Sequence, residues 1–255
     1  LILAGVPAWA ALLVAVIVGM LAGLCTGLLH TKLGIPAILA GILTQFSLYS
    51  INLRIMGMAA NKAVSVDKFS LVLSSRSISS AILTGALIAL ALVALFYWYF
   101  GTEQGSALRA TGSNPNMSAA QGINVNRMKV LGLALSNGIV ALSGGLMAQY
   151  QGFADVNMGR GAIVIGLAAV IIGEVIARAI LGKHLNFFGT LTFTVIGGVI
   201  YYAVVVIVLW LRLNSNDLKL FTAIIVAVFL AVPYLRAKRL NSFGRLKRKA
   251  AEHDA

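Results

Sequence analysis

Long apolar stretches alternate with short polar turns along this chain up to about residue 235. Seven such stretches approach 20 residues: 8–29, 36–55, 82–100, 130–150, 162–180, 190–211 and 218–235. A helix of about 20 residues crosses the ~30 Å hydrocarbon core of a bilayer. The pattern therefore predicts an all-α protein, a polytopic transmembrane helical bundle with about seven full spans. The strict two-residue alternation of a membrane β-barrel is absent. The chain opens on Leu1-Ile2-Leu3 and then Ala4-Gly5-Val6-Pro7, which reads as a turn. Leu1–Leu3 look like the end of an earlier span, so the expectation is that N-terminal spans are missing. Nothing at the start has the charged-then-apolar build of a cleavable signal peptide.

Inside the spans, small and polar residues mark where helices meet. Gly19, Gly23 and Gly27 recur every fourth residue and share one helix face. Such a face permits close helix approach. Thr44, Gln45, Ser47 and Asn52 interrupt the second span, and Asn137 lies in the small, polar middle of the fourth. Polar groups in lipid face other helices or a wet cavity. Thr44, Gln45 and Asn137 are therefore candidates for a translocation path, with helix-to-helix hydrogen bonding as the equal alternative. Glu174 precedes Arg178 by four residues, the spacing of an intrahelical ion pair. Residues 96–100, Phe-Tyr-Trp-Tyr-Phe, form an aromatic belt suited to a membrane interface.

The 101–129 stretch, GTEQGSALRATGSNPNMSAAQGINVNRMK, is a long polar insertion with its own helix punctuation. Asn114 suits an N-cap and Pro115 the first helical position. Gly122 suits a left-handed stop. A two-turn helix over 114–122 is expected, either as a plain connector or as a docking helix for a partner.

Composition supports the membrane reading: 60% hydrophobic and 11% charged residues, with a mean hydropathy of +0.94. Soluble domains carry about 25% charged residues. The net charge of +13 does not indicate nucleic acid, because seven basic residues sit in the tail after residue 235. Basic residues beside a span set orientation or meet anionic lipid. The chain thus divides into a transmembrane domain, 1–235, and a basic tail, 236–255. With the tail in the cytoplasm, the 101–129 stretch shares that side. Lysine and arginine then divide 13 inside to 7 outside, a bias carried by the tail. The single Cys25, in an apolar run, reads as a packing residue. No phosphate-binding GxxxxGK[ST] loop, HExxH or CxxC is present, and the three histidines are scattered. Hence no catalytic residue, metal site or cofactor is expected.

The run Ala107-Leu108-Arg109-Ala110-Thr111-Gly112, followed by Asn114-Pro115, Ala119 and Gly122-Ile123, resembles the coupling segment of bacterial ABC-importer permeases of the branched-chain amino acid and ribose type. The likeness continues through Ser136-Asn137-Gly138, Gly144-Gly145, Ala154-Asp155-Val156, Gly166-Leu167-Ala168 and Ile172-Gly173-Glu174-Val175-Ile176. It is greatest to the putative amino-acid, tryptophan/tyrosine-type subgroup. The resemblance implies a non-catalytic permease subunit in the bacterial cytoplasmic membrane, working as a dimer by alternating access. It implies cytoplasmic ATPase subunits that meet Arg109, Ala110, Thr111, Gly112, Asn114, Pro115, Ala119, Gly122 and Ile123. It further implies an extracytoplasmic substrate-binding protein and a second permease copy, equal or homologous. Membrane lipids complete the expected partners. A ribose-type sugar importer and a non-transporting scaffold or sensor are the alternatives.

Overall fold

The computed structural model describes residues 2–64, 70–159, 162–181 and 186–210, together with Ala227. In chain order the elements are α1 (Ala8–Lys32), α2 (Ala37–Ile55), β1 (Asn61–Ala63), α3 (Ile78–Gly101), α4 (Glu103–Ser113), α5 (Pro115–Ala120), α6 (Val125–Gln151), β2 (Phe153–Asp155), α7 (Ala162–Leu181) and α8 (Phe187–Trp210). Five helices are long and apolar enough to cross a membrane: α1, α2, α3, α6 and the Phe187–Ile207 part of α8. Against the expected seven spans, the described residues thus hold five. The 20-residue helix α7 occupies the fifth expected position without joining that set. The seventh stretch, 218–235, apart from Ala227, and the basic tail lie outside the described residues. Large apolar side chains such as Trp9, Leu21, Phe46, Leu87 and Trp98 are exposed along the helices. That is the surface of a chain solvated by hydrocarbon.

The chain divides into two units, Leu1–Gly159 and Arg160–Ala255. In the first, α1 and α6 pack antiparallel through their glycines. Gly19, Gly23 and Gly27 are all buried. A Cβ at Gly19 would strike Asn137, one at Gly23 would strike Leu133 and Ala134, and one at Gly27 would strike Val130, in each case at the backbone. From the other helix, Gly138 receives Met20 and Gly145 receives Leu12. Lipid tails are as apolar as leucine, so the contact is held by close van der Waals packing rather than by escape from water.

Other contacts of this unit are hydrogen bonds between side chains and across strands. The Thr26 hydroxyl of α1 lies 2.9 Å from that of Thr44 on α2, and Thr44 donates in turn to the Ala40 carbonyl at 3.0 Å. Strands β1 and β2 pair antiparallel, with Lys62 opposite Ala154. The loops expected around these two segments therefore carry a small sheet, an addition to the all-α expectation. Beside it lies Gln149, only 2% exposed. Its carbonyl accepts from the Val72 N–H at 2.9 Å, and its amide donates to the Ala8 carbonyl at 3.3 Å. One side chain thus ties the 57–77 connection, the start of α1 and the end of α6 together.

In the second unit, α7 and α8 repeat the glycine device. A Cβ at Gly173 would meet the backbone of Phe193 and Thr194, and one at Gly197 would meet Ala169 and Gly173. Ala168, Ile172 and Tyr201 form the core of this pair.

Candidate functional site

The insertion between α3 and α6 is two helices rather than one. Thr102 closes α3 and opens α4: its hydroxyl donates to the Tyr99 carbonyl at 2.6 Å and accepts from the Gly105 N–H at 3.3 Å. Glu103 sits in the first turn of α4, where the helix dipole favours a carboxylate. The corner is tight, since a Cβ at Gly105 would lie 2.5 Å from the Phe100 Cα. The expected single helix over 114–122 is corrected accordingly. Residues Arg109, Ala110, Thr111 and Gly112 belong to α4, an 11-residue helix of their own. Its glycines and threonine hide it from a propensity reading, while tertiary packing forms it. Leu108 rests against α6 at Gly132, and Gly105 and Thr111 are buried.

Asn114 separates α4 from α5 by acting on both. Its backbone N–H bonds the Ala110 carbonyl at 2.9 Å, closing α4. Its side-chain oxygen accepts from the Met117 N–H at 3.1 Å, opening α5. Its extended backbone, φ −149° and ψ 96°, is the conformation that a following proline imposes. At the far end Gly122 has φ +83°. The Ile123 N–H reaches the Ser118 carbonyl and the Gly122 N–H reaches the Ala119 carbonyl, both at 3.0 Å. These two bonds complete a Schellman stop. Asn124 then caps α6 through the Arg127 N–H at 3.0 Å. Every change of direction from 102 to 124 is thus fixed by a hydrogen-bonded cap.

These caps decide which side chains face outward. Arg109, Ala110, Gly112, Asn114, Pro115, Ala119 and Gly122 are exposed, Ile123 is half-buried and Thr111 is buried. The Thr111 hydroxyl donates to the Ala107 carbonyl at 2.8 Å, so its part is within the helix. Arg109 on α4 and Met117 on α5, the latter 59% exposed, are the large side chains among these exposed small residues. The result is a capped platform of two short helices at the end of the unit where α3 finishes and α6 begins. Ser118 was missed by sequence reasoning. It is 2% exposed and its hydroxyl returns to the Asn114 carbonyl at 3.0 Å. A serine inside a short polar helix carries no signal that would distinguish it from its exposed neighbours.

Within the first unit the polar positions in the spans do not gather into one site. Thr44 is engaged with Thr26 across α1 and α2. Asn137 donates to the Leu133 carbonyl at 2.9 Å within α6, at the level of Gly19. Gly19 and Thr26 are about 10 Å apart along α1 at 1.5 Å per residue. Gln45 is exposed on α2. In the second unit Arg178 is hydrogen-bonded to Glu174 within α7, both side chains substantially exposed.

Known proteins resemble this chain along most of its length. Residues 1–233 match the family model described as branched-chain amino acid transport system / permease component. A protein named tyrosine transport system permease protein, from Clostridioides difficile (strain R20291), is 41% identical over 228 residues, covering 89% of this chain and 74% of its own length. An uncharacterized protein of Rickettsia prowazekii (strain Madrid E) is 32% identical over 131 residues, 51% of this chain and 46% of its own. No solved structure matches.

Proposed function

This chain belongs to the branched-chain amino acid transport system permease family, and from that premise we propose that it is the membrane subunit of an ATP-driven amino-acid importer. It contributes no catalytic residue; ATP is hydrolysed by separate cytoplasmic subunits. On the reading of about seven spans, α4, α5 and the basic tail lie on the cytoplasmic side of a bacterial inner membrane. Two permease copies alternate between outward and inward openings, supplied from outside by a substrate-binding protein. The likeness to a tyrosine permease favours an amino acid over a sugar as cargo.

The observation that carries this reading is the capped platform of α4 and α5. A connector needs no fixed exit angle, whereas force passed from a closing ATPase pair to the spans needs a stiff one. Arg109 would form charge-assisted hydrogen bonds with an acidic site on the ATPase. Gly122→Val places a β-branched residue at φ +83°, a strain of about 1–2 kcal/mol. That is enough to misdirect a six-residue helix without unfolding the bundle. Gly122→Val and Arg109→Ala, together in a reconstituted complex, should leave the permease inserted while lowering ATPase binding and substrate-stimulated hydrolysis. Import at the unmodified rate would show that the insertion only connects α3 to α6.

A further inference from the structure

A groove of about 770 Å³ runs between α1 and α6, at the end of the unit where α1 finishes and α6 begins. Its lining is apolar over most of its length, with Met20, Leu24 and Leu28 from α1 and Leu131 from α6, and turns polar at Thr31, Asn124 and Asn126. Its end carries two cations, Lys32 and Arg127, both exposed. Among the described residues neither has a carboxylate partner. We propose that this groove binds one anionic phospholipid, its acyl chain along the leucines and its phosphate between Lys32 and Arg127.

Three features point to that occupant. The lining runs from Ile17 to Lys32, about 22 Å at 1.5 Å per residue. Half of a ~30 Å hydrocarbon core plus the headgroup layer has that depth, so the groove is one leaflet long. The charges lie only at the end where a headgroup would sit, so polarity changes along the groove as it does along a lipid. A further apolar helix would fill the leucine stretch and leave two cations without an anion, whereas a phosphate satisfies them. The site is independent of the cargo and of which side of the membrane this end faces.

The test uses the full chain purified in neutral detergent. Retained lipid is counted by native mass spectrometry against added phosphatidylglycerol or phosphatidylcholine with identical acyl chains. The expected result is one retained phosphatidylglycerol, preferred at least tenfold over phosphatidylcholine. Two basic contacts at a lipid surface contribute roughly a factor of five each. Lys32→Gln with Arg127→Gln should therefore weaken phosphatidylglycerol retention about 30-fold and phosphatidylcholine, whose phosphate is offset by its choline cation, far less. Leu24→Trp, which fills the groove without touching charge, should weaken both lipids. Equal retention of the two lipids by the unmodified protein, or retention unaffected by the glutamine pair, overturns the proposal. So does efficient disulfide cross-linking between two chains through Leu24→Cys in a Cys25→Ser background, which would place a second copy in the groove. The glutamine variant alters exposed positions only, so the charge comparison stands even where Leu24→Trp fails to fold.

Discussion

Replacing Gly23 by alanine adds one methyl group at the tightest part of the α1–α6 contact. That carbon would lie 2.8 Å from the Ala134 Cα and against the Leu133 carbonyl. Carbon atoms pack best at about 3.5–4.0 Å. The two backbones must therefore part by about 0.7–1.2 Å, and no side chain can rotate to avoid it. Gly19 and Gly27 lie one turn away on either side and also touch backbone, so parting at Gly23 loosens all three contacts. Over-packing of this kind costs about 1–3 kcal/mol. Alanine also gains about 1 kcal/mol over glycine in a helix, which would mask part of the loss. Gly41→Ala and Gly85→Ala supply the reference, because nothing lies within 4 Å of a Cβ at either. All three variants share the propensity gain, so the difference between Gly23→Ala and the two references isolates the contact. Unfolding of purified protein in mixed micelles, with rising denaturing detergent, should place Gly23→Ala about 1–3 kcal/mol below both. A Gly23→Ala protein as stable as Gly41→Ala and Gly85→Ala would refute backbone-to-backbone packing of α1 on α6.

Further outcomes follow from other parts of the molecule. Gln149→Leu removes both hydrogen bonds of a buried amide and strands the Val72 N–H, a loss of about 1–3 kcal/mol; limited proteolysis should cut faster between 57 and 77 than in the unmodified protein, and an unchanged rate would discount the tie. Exchanging Glu174 and Arg178 keeps an exposed i,i+4 pair that contributes at most about 0.5 kcal/mol, so transport should be largely retained; complete loss in a normally assembled complex would give Glu174 a role in transport itself. With Cys25 replaced by serine, Ser113→Cys should react with a membrane-impermeant thiol reagent only after the cells are opened, while Asn61→Cys should react in intact cells. The reverse pattern would invert the proposed orientation.

What could be read from the chain alone was whatever depends on near neighbours in sequence. The Asn114-Pro115 start and the Gly122 stop are local chemistry, and the structure has Asn114 as the cap, Pro115 as the first helical residue and Gly122 as the left-handed stop. Gly19, Gly23 and Gly27 announced a close-packing face for the same reason, four residues being one turn. Which helix fills that face was not legible, because α6 begins nearly a hundred residues later. Helix α4 escaped notice since Gly105, Thr111 and Gly112 are weak helix formers taken singly. They serve there because Gly105 admits the α3 backbone and Thr111 turns its hydroxyl inward. Gln149 was equally silent. A glutamine near the end of an apolar helix looks like an interfacial residue until Ala8 and Val72 are brought to it.

Gln149 also sets a limit on the order of assembly. Its two partners lie 141 and 77 residues earlier in the chain. A ribosome delivers this chain to the membrane from its first residue onward, so α1, α2 and α3 are all made before that amide exists. Until then Ala8 keeps a carbonyl, and the glycine face of α1 a groove, with nothing from α6 to meet them. The early spans must wait in lipid as loosely held helices, and the arrival of α6 locks α1 at both its middle and its start. A nascent chain halted before residue 149 should thus remain open to proteolysis around Val72, and one halted well beyond it should not.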